Sequence, residues 1–157
     1  MDDVAVARVV HVLAVLHWFG GVAFVTSVVL PAVSRLAEPG GRLVLFEEIE
    51  RRFSRQVRVS VPVAGLSGAW MAERLHAWPR FVDPAGWWLM AMAVVWLVFM
   101  VILFVLEPLV LNGWFSRRAL VDPEGTFALV QRLHWLLLAA GVATAAAGVL
   151  GARGVIG

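Results

Sequence analysis

Residues 87–106 form a run of twenty without one charged side chain. As a helix rising 1.5 Å per residue it is about 30 Å long, the thickness of a bilayer's hydrocarbon core. The rest of the chain gives such a run nowhere else to hide. Of 157 residues, 61% are hydrophobic and 15% charged, and the mean hydropathy is +0.85. Surface grows nearly as fast as volume in a small protein, so no water-soluble domain of this size buries that much apolar area. Lipid is the expected solvent for most of the chain.

Three further runs complete a set. Residues 4–30 are apolar and lead to Pro31 and then the turn cluster Glu38-Pro39-Gly40-Gly41. Residues 57–75 form the weakest span, interrupted by Arg58, Ser60 and Pro62, and Pro62 is expected to kink it. The third span covers 87–108 and the fourth 127–150. Between the first two, Leu45, Ile49, Phe53 and Val57 recur every four residues among glutamates and arginines. That spacing predicts an amphipathic helix over 42–56, lying in or rising from the interface. The expected architecture is all-α: one transmembrane domain over 1–157, an integral membrane four-helix up-and-down bundle with an amphipathic cytoplasmic extension of its second helix. The segments after the first and third spans hold eight arginines against four on the other side. By the positive-inside rule both termini face the periplasmic or outer side of a bacterial or archaeal inner (plasma) membrane. Met1-Asp2-Asp3 lacks the basic region of a cleaved signal peptide, so the first span is expected to be retained.

Absent residues exclude chemistry. There is no cysteine, hence no disulfide, thiolate metal site, iron–sulfur cluster or haem attached through Cys-x-x-Cys-His. All thirteen basic residues are arginine, so no Schiff-base lysine exists. A net charge of +2 does not suggest a nucleic-acid partner.

The histidines carry the functional reading. Leu16-His17-Trp18 in the first helix is echoed by Leu133-His134-Trp135 in the last. An imidazole in hydrocarbon is costly and marks a site unless a partner explains it. His17 lies about 9 Å deeper than His11 on the same helix, rotated by about 120°. The four histidines thus fall into a deep pair, His17 with His134, and an outer pair, His11 with His76. Ala14, Gly20 and Gly21 flank His17, while Gly141, Ala145 and Gly148 follow His134. Such low bulk leaves room for a flat ligand, with Trp18, Phe24, Trp96 and Trp135 to pack on it. The expectation is haem b ligated by His17 and His134, with Trp18 and Gly21 beside it. Arg132 or Arg58 would hold the propionates and Glu107 would handle protons. A second haem on His11 and His76 is the lesser expectation. The plain structural alternatives are imidazoles bonded to carbonyls across helix seams, glycines that serve packing alone, and a Glu107–Arg132 ion pair.

Copper is the competing chemistry. Met90 and Met92 open the third span level with His11 and His76, and thioethers with imidazoles suit Cu(I). The function expected from these residues is redox or electron transfer, with a quinone, an oxygen species or a protein partner. A copper-binding or copper-transport protein is the alternative, followed by a cofactor-free assembly subunit. Homo-oligomerisation is compatible with all three.

His11, Trp18 seven residues on, Gly20-Gly21 and Pro31 together resemble the first helix of the CopD-like (copper-resistance D) membrane family. The same frame resembles HemJ, the four-helix protoporphyrinogen oxidase family. Glu50-Arg51-Arg52-Phe53 leading into 61–71, with Gly68, is similar to the second helix of small CopD-related proteins. The resemblance covers the first half of the chain and, loosely, the fourth helix. It implies copper handling in the first case, and haem b with porphyrinogen oxidation in the second. His11 alone matches the family histidine. HemJ proteins have a functional lysine, which this chain lacks, and Leu-Pro-Arg where it reads Leu30-Pro31-Ala32.

Overall fold

The computed structural model describes residues 3–156, apart from the side chains of 110–112. Among these residues all regular structure is helical. Four long helical stretches account for most of it: α1 (Asp3–Leu36), α2 (Arg42–Arg74), α3 (residues 87–119) and α4 (Pro123–Ala152). Among the described residues, three helices are long and apolar enough to cross a membrane: Asp3–Leu36, Pro84–Leu109 and Pro123–Ala152. The expected span at 57–75 is not among them, because α2 carries charge along much of its length. Apolar side chains such as Leu13, Leu16, Leu66 and Leu136 point outward, more than half exposed. That surface suits lipid and not water.

Neighbouring helices run antiparallel, as their contacts show. Along α1, Asp3 pairs with Arg74, His11 reaches Ala64, His17 reaches Ser60 and Gly21 meets Phe53. Trp96 donates to the Val61 carbonyl at 2.9 Å, and Glu107 meets Arg58, so α3 runs against α2. Trp88 lies on Gly151 and Met92 on Gly148, so α4 runs against α3.

Two expectations about α1 and α2 need correcting. Pro31 does not end α1. A π-helical turn at Val25–Val29 precedes it, and the helix continues to Leu36. The carbonyl that Pro31 would leave without its usual donor belongs to Ser27, inside that widened turn. The helix over 42–56 does extend the second helix without a break, since α2 is continuous and runs on through Pro62, but the face it buries is not the expected stripe. Leu43 and Phe46 are buried with Val29, Leu30 and Val33 of α1 and Phe127 and Val130 of α4. The inward face of α2 therefore runs through Leu43, Phe46, Ser54, Val57, Val61 and Ala64. Leu45 and Ile49, from the expected apolar stripe, are exposed.

The glycine seams are also occupied. A Cβ on Gly21 would overlap the Phe53 ring, on Gly65 the Trp96 indole, on Gly141 the Phe19 ring and on Gly151 the Trp88 indole. Each glycine receives an aromatic ring from a neighbouring helix, which is the packing use of small residues.

Candidate functional site

A cavity of about 660 Å³ lies among all four helices, in the half nearer the arginine-rich connections. Its walls are mainly apolar: Val25 from α1, Phe46 and Phe53 from α2, Phe99 and Leu103 from α3, Leu137 from α4. Both π-helical stretches, Val25–Val29 and Ile102–Leu111, contribute to it. The second contains Glu107 and Pro108. A π turn re-aims side chains relative to an α-helix and recurs at functional sites. A few polar groups face this space: Glu47, Glu50, Ser54, Glu107 and His134. A mostly apolar hollow with few convergent polar groups is the usual form of a ligand site.

His134 is the histidine on this wall. Its Nδ1 lies 2.9 Å from the Val130 carbonyl, one turn earlier on α4. A carbonyl only accepts, so Nδ1 carries the proton and donates, leaving Nε2 as the free lone pair when the ring is neutral. Nε2 is 3.7 Å from Glu50 Oε1, and Phe46 meets the ring edge-on at 5.4 Å between centroids. Opposite, Ser54 donates to the Glu107 carboxylate, 2.8 and 2.9 Å from its two oxygens, and Arg58 Nη2 lies 3.1 Å from Oε1. Arg58 Nε is buried without a partner. At the mouth, burial raises the Glu47 pKa above the usual carboxylate value and the Glu50 charge adds to this, while Arg51 and a Ser116 hydrogen bond partly offset them.

The structure separates the deep histidines. His17 Nδ1 lies 3.1 Å from Ser60 Oγ, and Nε2 lies 3.4 Å from Gln56 Oε1, on the outward side of the α1–α2 seam. His134 meets α2 at Glu50 instead. Between Glu50 and the midpoint of Gln56 and Ser60 the rise is about 12 Å. The α1–α4 contact gives the same result. Phe19 meets Gly141, so His17 and His134 lie nine residues apart in register, about 13 Å. Two ligands of one iron must face each other within a few ångströms, and these do not in this arrangement.

The other expected residues lie elsewhere. His11 Nδ1 donates to the Ala64 carbonyl at 2.8 Å, with Ser67 Oγ at 3.3 Å, a bond across a helix seam. His76 is exposed and occupies a left-handed backbone conformation, φ 50°, just after α2. Trp18 is buried, stacked on Phe19 at 4.5 Å and edge-on to Phe99 at 4.7 Å. Gly21 is filled by Phe53 and lies beside a different, outward groove. Arg132 is exposed; Glu107 pairs with Arg58 in its place. Met90 is exposed and Met92 packs on Gly148, and among the described residues no cluster of three or more His, Asp or Glu forms a metal site. Glu50, Ser54 and Phe46 were not foreseen as site residues. The signal was present, since Phe46, Glu50, Ser54 and Val57 repeat at helical spacing. No family model, curated protein or solved structure matches the chain.

Proposed function

We propose that the chain is an integral membrane protein, a four-helix up-and-down bundle that holds haem b in its internal cavity through His134. The observation that carries this is one imidazole. His134 is fixed through Nδ1 to its own helix, and its Nε2 is turned toward a mainly apolar cavity with Phe46, Phe53 and Phe99 in its walls. A carbonyl bond to the remote nitrogen is how a ligating histidine is oriented and its tautomer fixed. The residues fit a single-imidazole site and not the bis-histidine site expected from sequence, since His17 is engaged with Ser60 and Gln56 at another depth.

Bound there, haem b would supply one-electron chemistry. The protein's part is to hold His134 in one tautomer, keep water from the apolar walls, and keep charge at the edges. Glu50 occupies the space in front of Nε2 and must turn aside for a ligand; its side chain is 35% exposed, which leaves it free to do so. Arg58 already serves Glu107, which leaves little cation for propionates inside the cavity. An electron-transfer role with a quinone or a protein partner follows from a redox centre near one end of the bundle. By the arginine count that end is cytoplasmic, with both termini outside.

The test is the colour of the purified protein. A reduced-minus-oxidised spectrum with b-type bands, lost in His134→Ala, supports the reading. Colourless protein that fails to bind added haemin, or bands that survive His134→Ala, would overturn it. Metal analysis of the same sample decides the copper alternative.

A further inference from the structure

We infer that a second copy of this chain docks on the outward face of α1, with Gly20 at the closest approach. Leu13, Leu16, His17, Gly20 and Phe24 fall on one face of the helix, since 100° steps place them within an arc of about 100°. All five are exposed. Gly20 differs from the other glycines of the helix seams. Gly21, Gly65, Gly141 and Gly151 each receive a ring, Gly148 receives Met92, and Gly68 lies against His11. A Cβ on Gly20 would meet nothing within 4 Å. This chain uses its other seam glycines as sockets for large side chains, and Gly20 is a socket left open. Phe24, one turn further and 58% exposed, is a large side chain without a socket. Helical side chains lean toward the N-terminus, so the Phe24 ring covers the level of Gly20.

Polar groups on the same face strengthen the inference. His17 and Gln56 touch only weakly, Nε2 to Oε1 at 3.4 Å, and both side chains are exposed. Arg52 stands exposed on the rim of an adjoining groove of about 510 Å³ beside Phe24 and Phe53. Polar atoms on an otherwise apolar helix face join helices in lipid. The occupant is a second copy because the face complements itself. It carries both the socket and the aromatic, with exposed polar side chains, His17, Gln56 and Arg52, beside them. Two copies inserted in the same direction and related by a two-fold axis bring like levels together, so each Phe24 meets the other's Gly20.

The chain has no cysteine, so single cysteines can be introduced without background. Gly20→Cys and Phe24→Cys, oxidised in native membranes, are expected to give mainly disulfide-linked dimer. Leu136→Cys, equally outward on α4, is expected to give at least fivefold less. Gly20→Leu should shift the purified full chain from dimer to monomer by mass photometry, with an unchanged helical circular-dichroism spectrum to show that it folds. Equal cross-linking at Leu136→Cys, or a wild-type chain that is monomeric in nanodiscs, would overturn the proposal. So would a monomer carrying an anionic phospholipid, seen by native mass spectrometry and lost in Arg52→Ala.

Discussion

Arg58 Nη2 and Glu107 Oε1 stand 3.1 Å apart across the α2–α3 seam, with Ser54 donating to both oxygens of the same carboxylate. The pair is partly screened, with side chains 35% and 20% exposed. Removing one partner leaves an uncompensated charge beside an apolar cavity. A fully buried pair broken in this way costs about 3–5 kcal/mol, and partial exposure reduces that to about 1–3 kcal/mol. Arg58→Ala and Glu107→Ala should each lower the thermal midpoint in detergent. The double variant should lose less than the sum of the two, which a double-mutant cycle measures. Strict additivity would mean that the two side chains are not coupled.

The spectral predictions separate the two histidines that share a Leu-His-Trp motif. His134→Ala should abolish the b-type absorbance, since it removes the one imidazole of the site. His17→Ala should leave the spectrum unchanged, because His17 bonds Ser60 and Gln56 about 12 Å away along α2. Loss of the spectrum in His17→Ala with retention in His134→Ala would reverse the assignment.

Much of the architecture was legible in the sequence. Apolar runs predicted helices at 4–30, 87–108 and 127–150, and the structure contains helices there. What misled was the phase of α2. The stripe Leu45, Ile49, Phe53, Val57 is apolar, whereas the face turned to the cavity includes the buried Ser54 and the partly exposed Glu50, which read as polar in isolation. Those two groups turn inward because His134 and Glu107 meet them there, and partners on other helices are invisible to a single helix's pattern. The glycines misled for a similar reason. A small residue announces a close approach but not what approaches, and here Phe53 and Phe19 occupy the spaces at Gly21 and Gly141.

Glu47 makes stability depend on pH. Burial is the main cause of its raised pKa, and Glu50 adds to it. A carboxylic acid whose folded pKa exceeds its unfolded one binds more protons in the folded state between the two values. Stability therefore falls as pH rises through that window, and the cost persists above it. The thermal midpoint of the wild type should drop as pH is raised from the ordinary carboxylate pKa to just above the folded one. Glu47→Gln removes the group and should flatten that slope while raising the midpoint at neutral pH. An unchanged slope in Glu47→Gln would assign the dependence to other groups.

Adjacent glycines provide the sharpest contrast in packing. Gly20 and Gly21 share a helix and a helix propensity, so replacing either by alanine brings the same backbone gain of about 0.5–1 kcal/mol. Only their surroundings differ. A Cβ on Gly21 collides with the Phe53 ring, which is itself wedged between the outward groove and the internal cavity. A Cβ on Gly20 meets nothing within 4 Å. Overpacking a filled seam costs about 1–3 kcal/mol, more than the backbone gain, so Gly21→Ala should be net destabilising. Gly20→Ala should be neutral or stabilising when melted at a dilution that keeps the chain monomeric. Gly141→Ala, which meets Phe19, should behave like Gly21→Ala. If Gly20→Ala and Gly21→Ala shifted the midpoint equally, the Phe53 contact would not hold α1 against α2 as described.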